Sequence, residues 1–267
     1  MKLTHYQNQA NVVDTGLLRQ DAIDYSVLIS ILHSPCSDVF TDHESVILCY
    51  SLAPFPVWVW AKDLNNDEAV RAVADCLRTY FPVSQGHTYN VSYPLLERLR
   101  EVDPYFRSLE VKLGLLSYRL DNLNPIHYPC GGHFAPARQE DLEPLIPIWH
   151  AMNLEMENHD FSESYCREQI GNHLTKGTLF TWRDEADQIV ALTAKWADGG
   201  YCKLSAVYTL PRHRRKGYAI NLVHKVTQSV LDEGLIPILY TDAGYIASND
   251  CYKKIGYRQV GSLCTIG

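Results

Sequence analysis

The chain of 267 residues is 46% hydrophobic and 21% charged, enough apolar material for a buried core and too much for a disordered or fibrous segment. Its 31 acidic and 24 basic side chains leave a net charge of −7, which argues against nucleic acid or an anionic membrane as the main partner. The eight cysteines form no CxxC pair, no apolar leader-like core opens the sequence, and no stretch reaches the roughly 18 apolar residues of a membrane span; a cytoplasmic protein with reduced thiols is expected.

In chain order, Ser45 to Leu52 and Pro56 to Lys62 are short apolar runs rich in β-branched and aromatic residues, and read as strands. Asn65, with Glu68 three residues on, resembles a capping box, and Val70, Val73, Leu77 and Phe81 then recur at helical spacing until Pro82. Leu109, Val111, Leu113 and Leu115 alternate with Glu110, Lys112 and Gly114, the pattern of a half-buried strand. The segment from Asp121 to Gly132 (DNLNPIHYPCGG) supports neither periodicity and reads as a linker. The expected domains are therefore 1–130 and 131–267.

The second part begins with a possible strand at His133 to Arg138, a helix from Asp141 and another from Ser162 to Lys176. Thr178 to Trp182 and Ile189 to Trp196 follow as strands, and Asp198-Gly199-Gly200 signals a hairpin returning as Tyr201 to Tyr208. A helix from about Tyr218 to Glu233 closes at Gly234, followed by a strand Ile236 to Thr241, a helix Ala247 to Ile255 and a last strand from Tyr257. Ile220, Val223, Val226 and Val230 give the longer helix an apolar face for the sheet.

Chemistry concentrates at Arg212-His213-Arg214-Arg215-Lys216, a basic run between a strand end and a helix that starts after Gly217. A helix N-terminus presents unpaired N–H groups and partial positive charge, which suits phosphate, and Gly217 and the small Ala219 leave its backbone approachable. The bland alternative is a solvated basic loop. The glycine pattern of a P-loop, a GxSxG elbow and an HExxH helix are all absent from the sequence.

The stretch from Val207 to Ala219, with its core Arg214-x-x-Gly217-x-Ala219, resembles the acyl-CoA binding motif of the GNAT family of N-acetyltransferases. Leu239-Tyr240-Thr241-Asp242, and then Ser248-Asn249 through Tyr252 to Gly256-Tyr257, look like that family's next strand and closing helix. The resemblance covers the chain from about His133 onward. Two departures stand out: Arg212 replaces an acidic residue often seen there, and Gly244-Tyr245 replaces the usual Ala-Asn pair.

The resemblance implies an α/β (α+β) fold with a mixed, splayed central sheet flanked by helices, preceded here by a second, smaller α/β domain. It implies acetyl-CoA (coenzyme A) as cofactor and a small-molecule or peptide amine as acceptor, with neither nucleic acid nor membrane as partner and no metal. Val207, Tyr208 and Thr209 would meet the pantetheine, and Arg214, Arg215, Lys216, Gly217, Tyr218 and Ala219 the pyrophosphate. Asn249 would add a cofactor contact, and Tyr252 would act catalytically near the sulfur. Asn249 and Tyr252, spaced i and i+3, share a helix face. Pro237, near the start of its strand, is expected where strands part or at an edge. Asp242, Asp160 and His159 stay open as bases. The first half bears a faint likeness to a degenerate copy of the same fold and lacks the phosphate motif, so one cofactor site is expected. The rival reading is an acyl-CoA sensor that catalyses no transfer.

Overall fold

A computed structural model describes residues 1–35, 37–156 and 158–267. In chain order the main elements are β1 (Thr4–Gln7), α1 (Ser26–Leu32), β2 (Asp38–Thr41), β3 (Val46–Tyr50), β4 (Val57–Ala61), α2 (Asp67–Tyr80), β5 (Tyr89–Ser92), α3 (Tyr93–Val102) and β6 (Val111–Arg119). They continue with β7 (His133–Pro136), α4 (Leu142–Met156), α5 (Glu163–Lys176), β8 (Leu179–Arg183), β9 (Ile189–Asp198), β10 (Tyr201–Thr209), α6 (Tyr218–Asp232), β11 (Ile236–Asp242), α7 (Ile246–Ile255) and β12 (Arg258–Ile266). The chain divides into two compact units: unit 1 holds Met1–Ser117, Thr241–Tyr245 and Gln259–Gly267, and unit 2 holds Tyr118–Tyr240 and Ile246–Arg258.

In unit 1 the strand order runs β1-β2-β3-β4-β5-β12. Its central strands are apolar at every position because both sheet faces are covered. Val46 and Leu48 of β3, with Val57 and Val59 of β4, join the core under α2 and α3, whereas Ile47, Cys49, Trp58 and Trp60 pack with Leu28 and Leu32 of α1. The side-chain period of two sends alternate residues to opposite cores. Helix α2 differs from the sequence pattern in its cap. Asn66, not Asn65, caps it, its side chain accepting from the N–H groups of Glu68 and Ala69. The expected alternation along β6 is absent: Val111 is 43% exposed, and burial rises only toward Ser117 and Tyr118.

Unit 2 has the order β7-β8-β9-β10-β11, antiparallel except for the parallel pair β10–β11. The hairpin at Gly199-Gly200 forms as expected, with both glycines at positive φ. Ser162 caps α5 through the N–H of Tyr165, and Gly234 follows α6 at φ +75°. Ile220, Val223, Val226 and Val230 of α6 are all buried. Pro237 does not mark the place where strands part. It pairs with Cys202 in the joined part of β10–β11. Ile236 donates to Gly200 O while Pro237 O accepts from Leu120 N, so the polar edge of residue 237 faces away from β10 and its missing N–H breaks no rung of that ladder.

Seven cysteines (49, 76, 130, 166, 202, 251 and 264) are free thiols, and Cys36 lies outside the described residues. Among the described residues no helix is long and apolar enough to cross a membrane.

Candidate cofactor site

The site starts from an irregularity in β10. Its register with β9 runs to Ser205↔Ala194 and resumes at Tyr208↔Leu192, so Ala206 and Val207 together oppose Thr193. This is a β-bulge, with Ala206 at φ +52° and Thr193 Oγ1 tying the strand through Ser205 O at 3.0 Å. On its other side β10 pairs with β11 from Tyr201↔Ile236 to Leu204↔Leu239, while β10 itself runs on to Thr209. The bulge and the end of this pairing coincide, so Ser205–Thr209 runs on past the rungs that β10 shares with β11. Thr209 Oγ1 is buried without a hydrogen-bond partner among the described residues.

Pro211 then fixes a short 3-10 turn, Pro211–His213, and the chain passes through two left-handed residues, Arg215 at φ +64° and Gly217 at φ +84°. Gly217 is the N-cap of α6 and supplies no side-chain cap, and the first turn of the helix contains no acidic residue. A Cβ on Gly217 would meet Asn221, Cys130 and Tyr128 only at 3.5–3.6 Å, so the left-handed backbone rather than crowding calls for glycine. Asn221 Nδ2 donates to Gly217 O and to Tyr128 O, both at 2.8 Å, which ties the linker to the start of α6.

The basic residues of this loop divide into two sets. Arg214 turns inward: Nε donates to Thr209 O at 3.0 Å, Nη2 to Glu155 Oε2 at 2.6 Å, and the guanidinium lies 5.4 Å from the centre of the Tyr208 ring. The Tyr208 hydroxyl reaches the same Glu155 oxygen at 3.3 Å. Hydrogen bonding from Arg214 holds the Glu155 carboxyl below its ordinary range. Arg214 and Tyr208 therefore brace the loop against α4. Arg215 and Lys216 are exposed at the helix terminus. Burial, and then the charges of Arg212 and Lys216, keep His213 below its usual pKa.

On α7, Asn249 and Tyr252 are each 5% exposed, sharing a buried face as their spacing implies. The Tyr252 ring lies 6.1 Å from Tyr257 and 6.4 Å from Tyr118, centre to centre. Gly256, at φ +114°, ends this helix, and a Cβ there would come within 2.5 Å of Asn122 O; the linker passes too close for any side chain. The three open base candidates lie in different settings. Asp242 accepts the N–H of Gly244 at 2.7 Å and holds a turn. His159 packs edge-on to Phe161, while Asp160 contacts His150 Nε2 at 2.7 Å. Glu155 and His150 escaped the sequence reading. Glu155 is 59 positions from Arg214, and no local pattern announces that pair.

This architecture recurs in solved structures. An acetyltransferase of the GNAT family from Colwellia psychrerythraea superposes with a TM-score of 0.64 at 14% identity, covering 100% of this chain and 98% of its own. The chain has the GNAT fold. A GCN5-related N-acetyltransferase from Sphaerobacter thermophilus gives 0.64 at 12% identity (93% and 84% covered), and one from Kribbella flavida gives 0.55 at 14% (84% and 86%). Residues 185–265 match the family model described as FR47-like protein. No curated protein matches by sequence. The GNAT resemblance and the mixed α/β sheet expected from Val207–Tyr257 are thus borne out at the level of fold.

Proposed function

We propose that this protein is an N-acetyltransferase that moves an acetyl group from acetyl-CoA to a primary amine of a small molecule or peptide by direct attack. The observation that carries the reading is the junction of β10 and α6, where a bulged strand that continues past its last pairing with its parallel neighbour leads into a helix terminus with no side-chain cap and no acidic residue in its first turn. The residues there suit the cofactor. The Arg214 N–H closes the 3-10 turn on Pro211 O at 3.3 Å, so the backbone N–H groups from Arg215 to Ala219, with the Arg215 and Lys216 side chains, are those that suit the pyrophosphate, and the orphaned Thr209 hydroxyl lies on the strand suited to the pantetheine amides.

When bound, acetyl-CoA supplies an acyl group activated as a thioester. We assign to the N–H of Val207, in the bulge, the role of donor to the carbonyl oxygen as charge develops there. Asn249 and Tyr252 line the buried face of α7, and the Tyr252 phenol is the donor assigned to the departing sulfur. A phenol near pKa 10 is a weaker acid than a thiol near 8.5, so hydrogen bonding outweighs full proton transfer in that role. The free thiols fit a cytoplasmic setting. We also assign 1–130 and 131–267 to two ancestral copies of one fold, only the second retaining a phosphate-binding turn.

Calorimetric titration of acetyl-CoA into wild type and an Arg215→Glu, Gly217→Glu double variant tests the site, and thiol release across an amine panel tests transfer. Binding lost in the variant together with amine-dependent thiol release is the expected result. Binding without release from any amine would make the protein an acyl-CoA sensor. A wild type that takes no acetyl-CoA would end the reading.

A further inference from the structure

Tyr118 is fully buried, yet its hydroxyl has no hydrogen-bond partner among the described residues. Other buried tyrosines of this chain are satisfied: Tyr257 pairs with Thr227 Oγ1 at 2.8 Å, and Tyr89 donates to Phe81 O at 2.6 Å. A buried phenol left unpaired is less favourable than the phenylalanine that would fill the same space, so the hydroxyl calls for a partner from outside the chain. Burial and then the charge of Asp250 push the Tyr118 pKa up, which keeps it a neutral O–H donor.

Its position suggests the partner. Tyr118 stands at the end of β6, two residues before Leu120, whose N–H donates to Pro237 O at 2.9 Å, so this stretch runs alongside β11. Its ring is 6.4 Å from that of Tyr252, inclined at 54°. Tyr252 is the residue assigned above to the sulfur end of the cofactor, and the terminus of α6 to its phosphates. The pantetheine arm carries two amide carbonyls and the sulfur, all acceptors.

We propose that the Tyr118 hydroxyl is a cofactor-binding group that donates a hydrogen bond to the pantetheine end of acyl-CoA; the proposal rests on the acyl-CoA reading. The test titrates coenzyme A, and separately 3′-phosphoadenosine 5′-diphosphate, which lacks the pantetheine arm, into wild type and Tyr118→Phe. Thermal unfolding of the ligand-free proteins is measured alongside, with Tyr257→Phe as the comparator that loses a satisfied bond. Tyr118→Phe is expected to bind coenzyme A about 5- to 20-fold more weakly, to bind the arm-less nucleotide as wild type does, and to melt no lower than wild type, whereas Tyr257→Phe melts lower. Unchanged coenzyme A affinity, equal weakening toward both ligands, or a melting loss like that of Tyr257→Phe would each overturn the role of Tyr118 while leaving the acyl-CoA site standing. If wild type takes coenzyme A but not the nucleotide, affinity for coenzyme A and melting decide by the same criteria. A wild type that takes neither overturns the cofactor reading and this inference with it.

Discussion

Two strand–helix–strand segments of this chain share a plan and differ at one turn. In unit 1, β4 leads into α2 and returns as the parallel neighbour β5; in unit 2, β10 leads into α6 and returns as the parallel neighbour β11. The first helix is closed to ligands. Asn66 takes up two of its leading N–H groups, and Asp67 and Glu68 neutralise its positive end. The second begins at a glycine in a left-handed conformation with no side-chain cap, and the charges beside it are those of Arg215 and Lys216. A helix terminus satisfied from within supports stability, and one left unsatisfied supports binding. On the acyl-CoA reading proposed above, the same architecture serves either end, according to the residues of a single turn.

The strongest way to break this comparison is to give α6 the chemistry of α2. Gly217→Asp places a carboxylate and a Cβ at a left-handed N-cap, and acetyl-CoA affinity measured by titration should fall about 100-fold or more. Little change would mean that the terminus is not the binding element. Next in size is the reciprocal change, Asn66→Ala, which removes the cap of α2. Urea unfolding should show a loss of about 1 kcal/mol, with acetyl-CoA stoichiometry still one per chain; a second bound molecule would undo the distinction between the two termini. The smallest effect is expected from Glu155→Gln, which keeps the shape of the brace on Arg214 but removes its charge. Cofactor affinity should drop about 3- to 5-fold. Because the Glu155 pKa is lowered in the folded state, its contribution is present above the ordinary glutamate range and is lost as pH falls through the lowered folded value. Wild type and Glu155→Gln should therefore converge in acid, and a difference that persists there would deny the ion pair its role.

What the sequence revealed depended on how local each cause was. Helix α5 was legible to within one residue of its start, where Ser162 proves to be the cap acting on Tyr165, three residues away, and the Gly199-Gly200 hairpin because a tight turn needs positive φ where it occurs. Adjacent asparagines shifted the cap of α2 by one residue. Pro237 misled because the direction in which a strand residue turns its polar edge depends on its neighbours, which periodicity does not record. At the site, the Arg214-x-x-Gly217-x-Ala219 motif was readable as a local strand-to-helix turn. The bracing of Arg214 by Glu155, the contact of Asp160 with His150 and the approach of Tyr118 to Tyr252 join distant parts of the chain and leave no periodic trace.

The last strand has a consequence for biosynthesis. Leu263 to Ile266 of β12 pair with Ser92 to Tyr89 of β5, and Gln259–Gly267 belongs to unit 1. As the nascent polypeptide emerges, β5 can find β4 early but must wait for its other neighbour until all of unit 2 has been translated. The usual vectorial order, in which the N-terminal part of a protein matures first, is thereby reversed for the completion of unit 1. During that interval β5 presents an open strand edge, the kind of surface on which unfinished chains associate and chaperones act.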